Sequence, residues 1–359
     1  MQRNTVNSQQ SGYEYKESKM KSRKLNLLII ILAACIVVGI ILFKFDIGEL
    51  YNIVITANIK WILLALGCML CYCLFESGVL YCTANSIKRK LSFLKAFKTT
   101  MVGLLFNNLT PFQSGGQPMQ AYYLTKESFK VGEASSILLM KFIVYQVSLI
   151  FYSTVLLFVR YRFFYERSGK LAALIGVGFL VNIAVVIGLI LVGFLPKFTT
   201  KLVKGIIALL SKIHIIKDKE KSLENANHQI AGFHDGFREL TKQKWILLQG
   251  VVVSCAQLTA FFLIPFCICM SLGVQVGSIL SMVAASAFVL MISSFIPLPG
   301  ASGGAEGCFY LLFGIFIINP SLIAVALILW RLITYYLPII VGIFFCGVKK
   351  VPAAEMPAE

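Results

Sequence analysis

Six stretches of the chain are apolar for about the 20 residues needed to cross a bilayer: 25–43, 61–83, 137–159, 171–194, 245–267 and 321–346. No other feature narrows the fold as much. In hydrocarbon every backbone N–H and C=O must be satisfied within the protein, so such stretches become helices. The composition agrees, with 58% hydrophobic and only 14% charged residues among the 359. An all-α, polytopic membrane helical bundle is expected. The first stretch is too long for a signal-peptide core, lacks a small-residue cleavage site after it, and follows a polar segment, 1–24. It therefore reads as a retained span.

Lys and Arg set the orientation. With a cytoplasmic N-terminus, most of the 33 basic residues fall on the cytoplasmic side, in 1–24, 88–98, 126–141, 197–244 and 349–350. The outer side holds only Lys44, Lys60, Arg160, Arg162, Arg167 and Lys170. Both termini are thus expected in the cytoplasm, with the chain in a bacterial plasma membrane. The layout is a basic tail (1–24), a transmembrane domain (25–348) and a second tail (349–359). The net charge of +17 belongs mostly to the cytoplasmic face and would draw anionic lipid headgroups. No motif supports nucleic-acid binding.

Within the transmembrane domain, 196–244 is the one sizeable polar segment. Leu202, Val203, Ile206, Ile207, Leu210 and Ile213 share one helical face, as in a helix lying on a membrane surface. Leu223, Ala226, Ile230, Phe233, Phe237 and Leu240 mark a second helix that should pack on the first or on the bundle. The segment is short for a soluble catalytic domain. No Walker loop, dinucleotide fingerprint or catalytic triad is present, so neither an ATPase nor a cofactor is expected. The ten cysteines lie almost entirely in apolar runs without histidine or carboxylate beside them, and read as free thiols rather than metal ligands.

A short motif occurs twice. Residues 110–118 read TPFQSGGQP and residues 297–307 read PLPGASGGAEG. With Pro111 set on Pro299, Ser114-Gly115-Gly116 falls on Ser302-Gly303-Gly304, and Tyr122-Tyr123-Leu124 on Tyr310-Leu311-Leu312, without a gap. The flanking apolar pieces, 97–109 and 119–124, then 278–295 and 308–318, are short or interrupted. Each copy reads as a re-entrant helical hairpin, and the charge pattern inserts the two from opposite faces. The expected architecture is six full spans plus two re-entrant hairpins in an inverted repeat; continuous motif segments would give eight spans. Paired, Gly/Pro-interrupted segments of this kind point to a substrate site.

The candidate headgroup-binding residues follow: Thr110, Ser114, Gly115, Gly116, Gln117, Ser302, Gly303, Gly304, Glu306 and Arg331. The glycines allow positive φ, and helix starts with free amides suit a phosphate. Pro118 and Glu306 occupy equivalent positions in the first turn. Glu76, Glu306 and Arg331 are charges within apolar segments, each costing about 2.5–3.5 kcal/mol at a helix centre on insertion scales. Two readings stand. Glu306 and Arg331 form a structural pair, or Arg331 meets a lipid phosphate while Glu306 or Glu76 meets a headgroup amine or relays a proton. Tyr122, Tyr123, Tyr310, Tyr335 and Tyr336 line the same cavity or pack as aromatics.

TPFQSGGQPMQAYYL (110–124), PLPGASGGAEG (297–307) and WRLITYYLP (330–338) together resemble the signature segments of the lysylphosphatidylglycerol synthase/flippase transmembrane family. That family includes the membrane half of the multiple peptide resistance factor, and the resemblance covers roughly residues 25–348. It implies a flippase-like fold with re-entrant helices and a headgroup cavity. In two-domain relatives a soluble domain makes lysyl-phosphatidylglycerol from lysyl-tRNA. The membrane half then moves that lipid outward and confers cationic peptide resistance. This sequence runs to Glu359 with no synthase domain, so lysyltransferase chemistry is not expected of it. Its substrate would be an anionic or aminoacylated phospholipid, such as lysyl-phosphatidylglycerol, or a polyprenyl-phosphate lipid. The alternatives are a membrane subunit that scaffolds a separate lipid-modifying enzyme, and a lipid-linked transferase using Glu76 and Glu306.

Overall fold

Five of the expected spans form continuous helices in the computed structural model, which describes residues 47–87, 91–167, 169–212, 219–275, 277–294 and 296–346. The sixth, 25–43, and the tails 1–24 and 349–359 lie outside the described residues. After a short helix α1 (Ile47–Thr56) come α2 (Ile59–Asn85), the first hairpin α3 (Phe93–Leu109) and α4 (Gly116–Lys126), then α5 (Val131–Arg167) and α6 (Gly169–Phe194). The polar segment supplies α7 (Pro196–Lys212) and α8 (Lys219–Lys242). The remaining elements are α9 (Lys244–Ser271), the second hairpin α10 (Ile279–Ser293) and α11 (Gly304–Phe313), and a last span. That span is α12 (Pro320–Arg331), a π turn (Leu332–Tyr336) and α13 (Leu337–Phe345). The described residues contain no strand.

The motif segments are paired short helices, not additional full spans. Each breaks at a short 3-10 turn, Pro111–Gln113 in one and Pro299–Ala301 in the other. Proline disfavours the helical region for the residue before it. Thr110 (φ −118°, ψ 147°) and Leu298 (φ −114°, ψ 150°) are accordingly extended and stop α3 and the preceding chain at equivalent places. The next residues also match, Phe112 at φ 53°, ψ 17° and Gly300 at φ 59°, ψ 19°. Gln113 (φ 54°) and Ala301 (φ 53°) follow suit. The two copies thus share a backbone path over 110–113 and 298–301, and part at the next residues, Ser114 (ψ −18°) against Ser302 (ψ 140°) and Gly115 (φ −80°) against Gly303 (φ 84°).

Caps fix other helix ends. Asn58 accepts the Lys60 amide at 3.1 Å to start α2, and Asn319 accepts that of Ser321 at 2.8 Å ahead of Pro320 at the start of α12. Such caps take up amides that have no partner in the helix's first turn.

α2 packs along α9, each being the span that precedes a hairpin. α10 is the most deeply enclosed helix: Met282, Ala284, Ala285, Ala287 and Phe288 are fully buried. A helix that is apolar all round belongs at the centre of a bundle. Beside it Phe309 stacks on Phe313 (ring centroids 4.2 Å apart) and on Trp330 (4.8 Å), joining α11 to α12. The outer faces stay apolar, with Leu63, Phe158, Leu180 and Ile187 exposed, as suits contact with lipid tails.

At one end α8 buries Phe233, Phe237 and Leu240 and packs on α5 and α7. α7 leaves Leu202 and Ile206 of the expected face exposed, as suits a surface helix, while Ile207 of the same face is 7% exposed and packs inward. One assignment of the charge count is corrected. Lys141, counted with the cytoplasmic loop, lies inside α5, is 8% exposed, and is ion-paired within the bundle. The count by segment missed it because the apolar run that begins at 137 surrounds it.

Candidate functional site

The two 3-10 turns sit against each other, with Cα atoms within 8 Å, between the spans. Next to them is a cavity of about 750 Å³, lined by α2, α3, both hairpins, α5, α6, α9, α10 and the last span. Its lining mixes apolar side chains with amides, hydroxyls and three charged groups, which suits an amphiphile better than a purely apolar or purely polar guest.

The second turn is held by Arg331. Its Nη1 donates to the Gly300 carbonyl at 3.0 Å and its Nη2 lies 2.7 Å from Glu306 Oε2. Glu306 Oε2 also accepts the Gly303 amide at 2.7 Å. The guanidinium sits 5.0 Å from the Trp330 ring centroid and 5.3 Å from that of Tyr335. A chain of contacts then reaches the first hairpin: Asn108 Nδ2 donates to the Tyr335 carbonyl (3.2 Å), and the Tyr335 hydroxyl donates to the Asn108 carbonyl (3.3 Å). The π turn that carries Tyr335 begins directly after Arg331, and π turns occur often at functional sites.

The first turn is held differently. Thr110 Oγ1 accepts the Gly115 amide and donates to the Phe106 carbonyl, both at 2.7 Å. Asn107 Oδ1 accepts the Gly116 amide at 3.0 Å. Hence the amides of Gly115, Gly116 and Gly303 are already bonded to the chain's own side chains. The expected free phosphate cradle is corrected on this point: Thr110, Asn107 and Glu306 occupy those three amides.

The glycine pairs divide the two expected roles, positive φ at Gly303 and close approach at Gly115, Gly116 and Gly304. Positive φ falls at residues 112, 113, 300, 301 and 303, while Gly115 has φ −80° and Gly116 and Gly304 begin helices. Gly116 serves close approach: a Cβ there would stand 2.1 Å from Asn107 Oδ1.

Of the residues expected from the sequence, Glu76, Ser114, Gln117, Arg331 and Tyr335 line the cavity. Thr110, Gly115, Gly116, Ser302, Gly303, Gly304 and Glu306 build the turns around it. Tyr122, Tyr123 and Tyr310 stand apart. Tyr122 is exposed under Lys126 Nζ (4.5 Å from its ring centroid), Tyr123 donates to the Cys346 carbonyl (3.2 Å), and Tyr310 is exposed. The two turns also differ in setting. Residues 111–114 are exposed, whereas 299–301 are buried.

Sequence reasoning missed a second polar cluster. Glu76 of α2 is ion-paired with Lys141 of α5 and accepts a hydrogen bond from Gln257 of α9, with both charged side chains largely buried. The signal was a lone amide or cation inside each apolar run: Lys141, Gln146, Asn182, Gln257. Replacing Lys141 with Met is expected to cost about 2–3 kcal/mol, because Glu76 would stay buried with Gln257 as its remaining donor. The double variant Glu76→Gln/Lys141→Met should regain most of it. Denaturant unfolding in detergent measures both, and an unchanged single variant would refute the pairing's importance.

Comparison with known proteins agrees with this architecture. Residues 27–342 match the family model described as lysylphosphatidylglycerol synthase TM region. A UPF0104 membrane protein of Archaeoglobus fulgidus is 27% identical over 319 residues, spanning 86% of this chain and 92% of that protein. One of Methanocaldococcus jannaschii is 25% identical over 332 residues, spanning 90% and 94%. One of Methanothermobacter thermautotrophicus is 24% identical over 250 residues, spanning 69% and 73%. A match over nearly the whole described bundle, both motif hairpins included, means that the chain belongs to the lysylphosphatidylglycerol synthase TM region family.

Proposed function

We propose that the chain is a lipid translocator, carrying a phospholipid or polyprenyl-phosphate lipid headgroup across the plasma membrane through the cavity beside the paired turns. Lysyl-phosphatidylglycerol and other aminoacylated or anionic phospholipids fall within this class. One observation carries the reading: two broken helical hairpins, interrupted by turns of matching backbone, meet at a large amphiphilic cavity inside a bundle with an apolar outer surface. Non-helical backbone is tolerated at membrane depth where it is buried in protein or lines a wet cavity. Paired interrupted segments are the usual framework for alternating exposure of a central site. The basic asymmetry of the loops supports cytoplasmic termini.

Purified protein in liposomes with fluorescent phospholipids tests the reading. Protein-dependent crossing of the bilayer is expected. Ser114 is exposed at the first turn and lines the cavity, so Ser114→Trp should fill space there without disturbing the core. Crossing should fall by about tenfold or more with an unchanged unfolding midpoint, as displacement of a reacting or bound group by an ångström or so commonly does. No crossing of any phospholipid by the parent protein, or full-speed crossing by Ser114→Trp, would overturn it.

A further inference from the structure

The cavity's charges are already matched. Glu76 is paired with Lys141, and Arg331 with Glu306. Arg331 keeps one donor, Nε, without a hydrogen-bond partner among the described residues; the other open groups toward the space are uncharged. Gln120 is 5% exposed and Gln146 6%, both line the cavity, and neither side-chain amide bonds to any described residue. Asn182 is fully buried, and its Nδ2 donates to the carbonyls of Gly178 (2.8 Å) and Met291 (3.4 Å). Its Oδ1, however, has no partner among the described residues. Gly103 leaves room for one of these groups: a Cβ there would stand 2.2 Å from Gln120 Nε2.

Buried polar groups are kept unpaired in a protein only at a cost in stability, so a set of them around one space marks a place where a guest supplies the bonds. Each amide offers a donor and an acceptor side by side. A hydroxyl is also both. A phosphate only accepts and an ammonium only donates, so either would leave half of each amide unused. Phe112 adds an exposed aromatic face at the same cavity, which attracts the C–H edge of a sugar ring through its quadrupole.

We infer that the headgroup taken by this cavity is a hydroxyl-rich one, a glycosyl or cyclic polyol group, bound by Gln120 and Gln146, with the buried Asn182 behind them. The inference rests on the lipid-translocation reading and narrows its substrate. It places recognition chiefly on neutral amides, with the open Nε of Arg331 as a further donor to a hydroxyl.

The test uses the full chain, purified in a sugar-free phosphocholine detergent and reconstituted in liposomes. The probes are fluorescent glucosyl-diacylglycerol and phosphatidylinositol, compared with phosphatidylcholine and lysyl-phosphatidylglycerol. The hydroxyl-rich lipids should cross about tenfold faster or more, a modest form of the discrimination that a site built for hydroxyls achieves. Gln120→Leu and Gln146→Leu should remove that preference while the unfolding midpoint holds or rises, since an unpaired buried amide has been replaced by an apolar side chain. A merely structural amide would instead lower the midpoint. In detergent, a short-chain glucoside should raise the parent's midpoint and not the variants', and free glucose should have no effect. Equal or faster crossing of phosphatidylcholine or lysyl-phosphatidylglycerol overturns the headgroup assignment and leaves translocation standing. If no lipid crosses, translocation falls, and the glucoside shift alone decides the headgroup class. A shift equal with free glucose would make this a sugar site and overturn the lipid assignment.

Discussion

Arg331→Met is expected to cost about 3–5 kcal/mol of folding stability, the range for removing one partner of a buried ion pair. The side chains of Arg331 and Glu306 are only 10% and 14% exposed, so water can do little for the carboxylate left behind. Two further contacts go with the guanidinium: the Gly300 carbonyl loses its donor, and Trp330 and Tyr335 lose the cation they flank. The gain of pairing such charges is largely offset by their desolvation, so removing both should be much milder than removing one. In Glu306→Gln/Arg331→Met the Gln carbonyl can still accept the Gly303 amide. That double variant should recover at least half of the loss. Unfolding by denaturant in detergent, followed by tryptophan fluorescence, provides the measurement. A single variant within about 1 kcal/mol of the parent would show that Arg331 does not hold the second turn.

Gly300→Val should be comparably damaging, at about 3 kcal/mol or more, while its counterpart in the first turn tolerates change. At Gly300 two penalties add. Its φ of 59° is a conformation that β-branched residues rarely adopt, and a Cβ there would stand 2.0 Å from Tyr335 Cε2. Tyr335 cannot easily retreat, because it is bonded to Asn108 through both its hydroxyl and its carbonyl. Phe112 adopts the same backbone conformation, at φ 53°, but is 60% exposed and has room for its ring. Phe112→Gly relieves the left-handed strain and loosens the unfolded chain, two effects of opposite sign that should leave stability within about 1 kcal/mol of the parent. Thermal midpoints of the two variants test the asymmetry directly. Equal losses would contradict it.

Five of the six expected spans and both hairpins were legible because apolar length and Pro/Gly interruptions are local properties. The contact between the turns follows from the repeat. The Glu306–Arg331 pair could be named because each residue is a lone charge in an apolar segment. The details of the turns were not legible. Positive φ went to Phe112, Gln113 and Ala301 as well as to glycines, since proline placement and tertiary packing set the backbone there and override residue preference. The amides at the turns were claimed by Thr110, Asn107 and Glu306, a matter of side-chain reach that sequence spacing alone does not give. Lys141, Gln146 and Asn182 were hidden because one polar residue hardly changes the hydropathy of a long window. Their meaning depends on which faces of distant helices meet.

The unlike fastening of the two turns bears on energy as well as shape. Suppose the bundle has a mirror form, in which the first turn is enclosed and the second laid open. Thr110 and Pro118 offer that form no counterpart to the Glu306–Arg331 clasp. A bias of only about 2.7 kcal/mol puts 99 molecules in 100 on one side of such a balance. How far the resting bundle leans is then set by what the clasp retains after desolvation, and a headgroup that tips the balance has to act on the clasp.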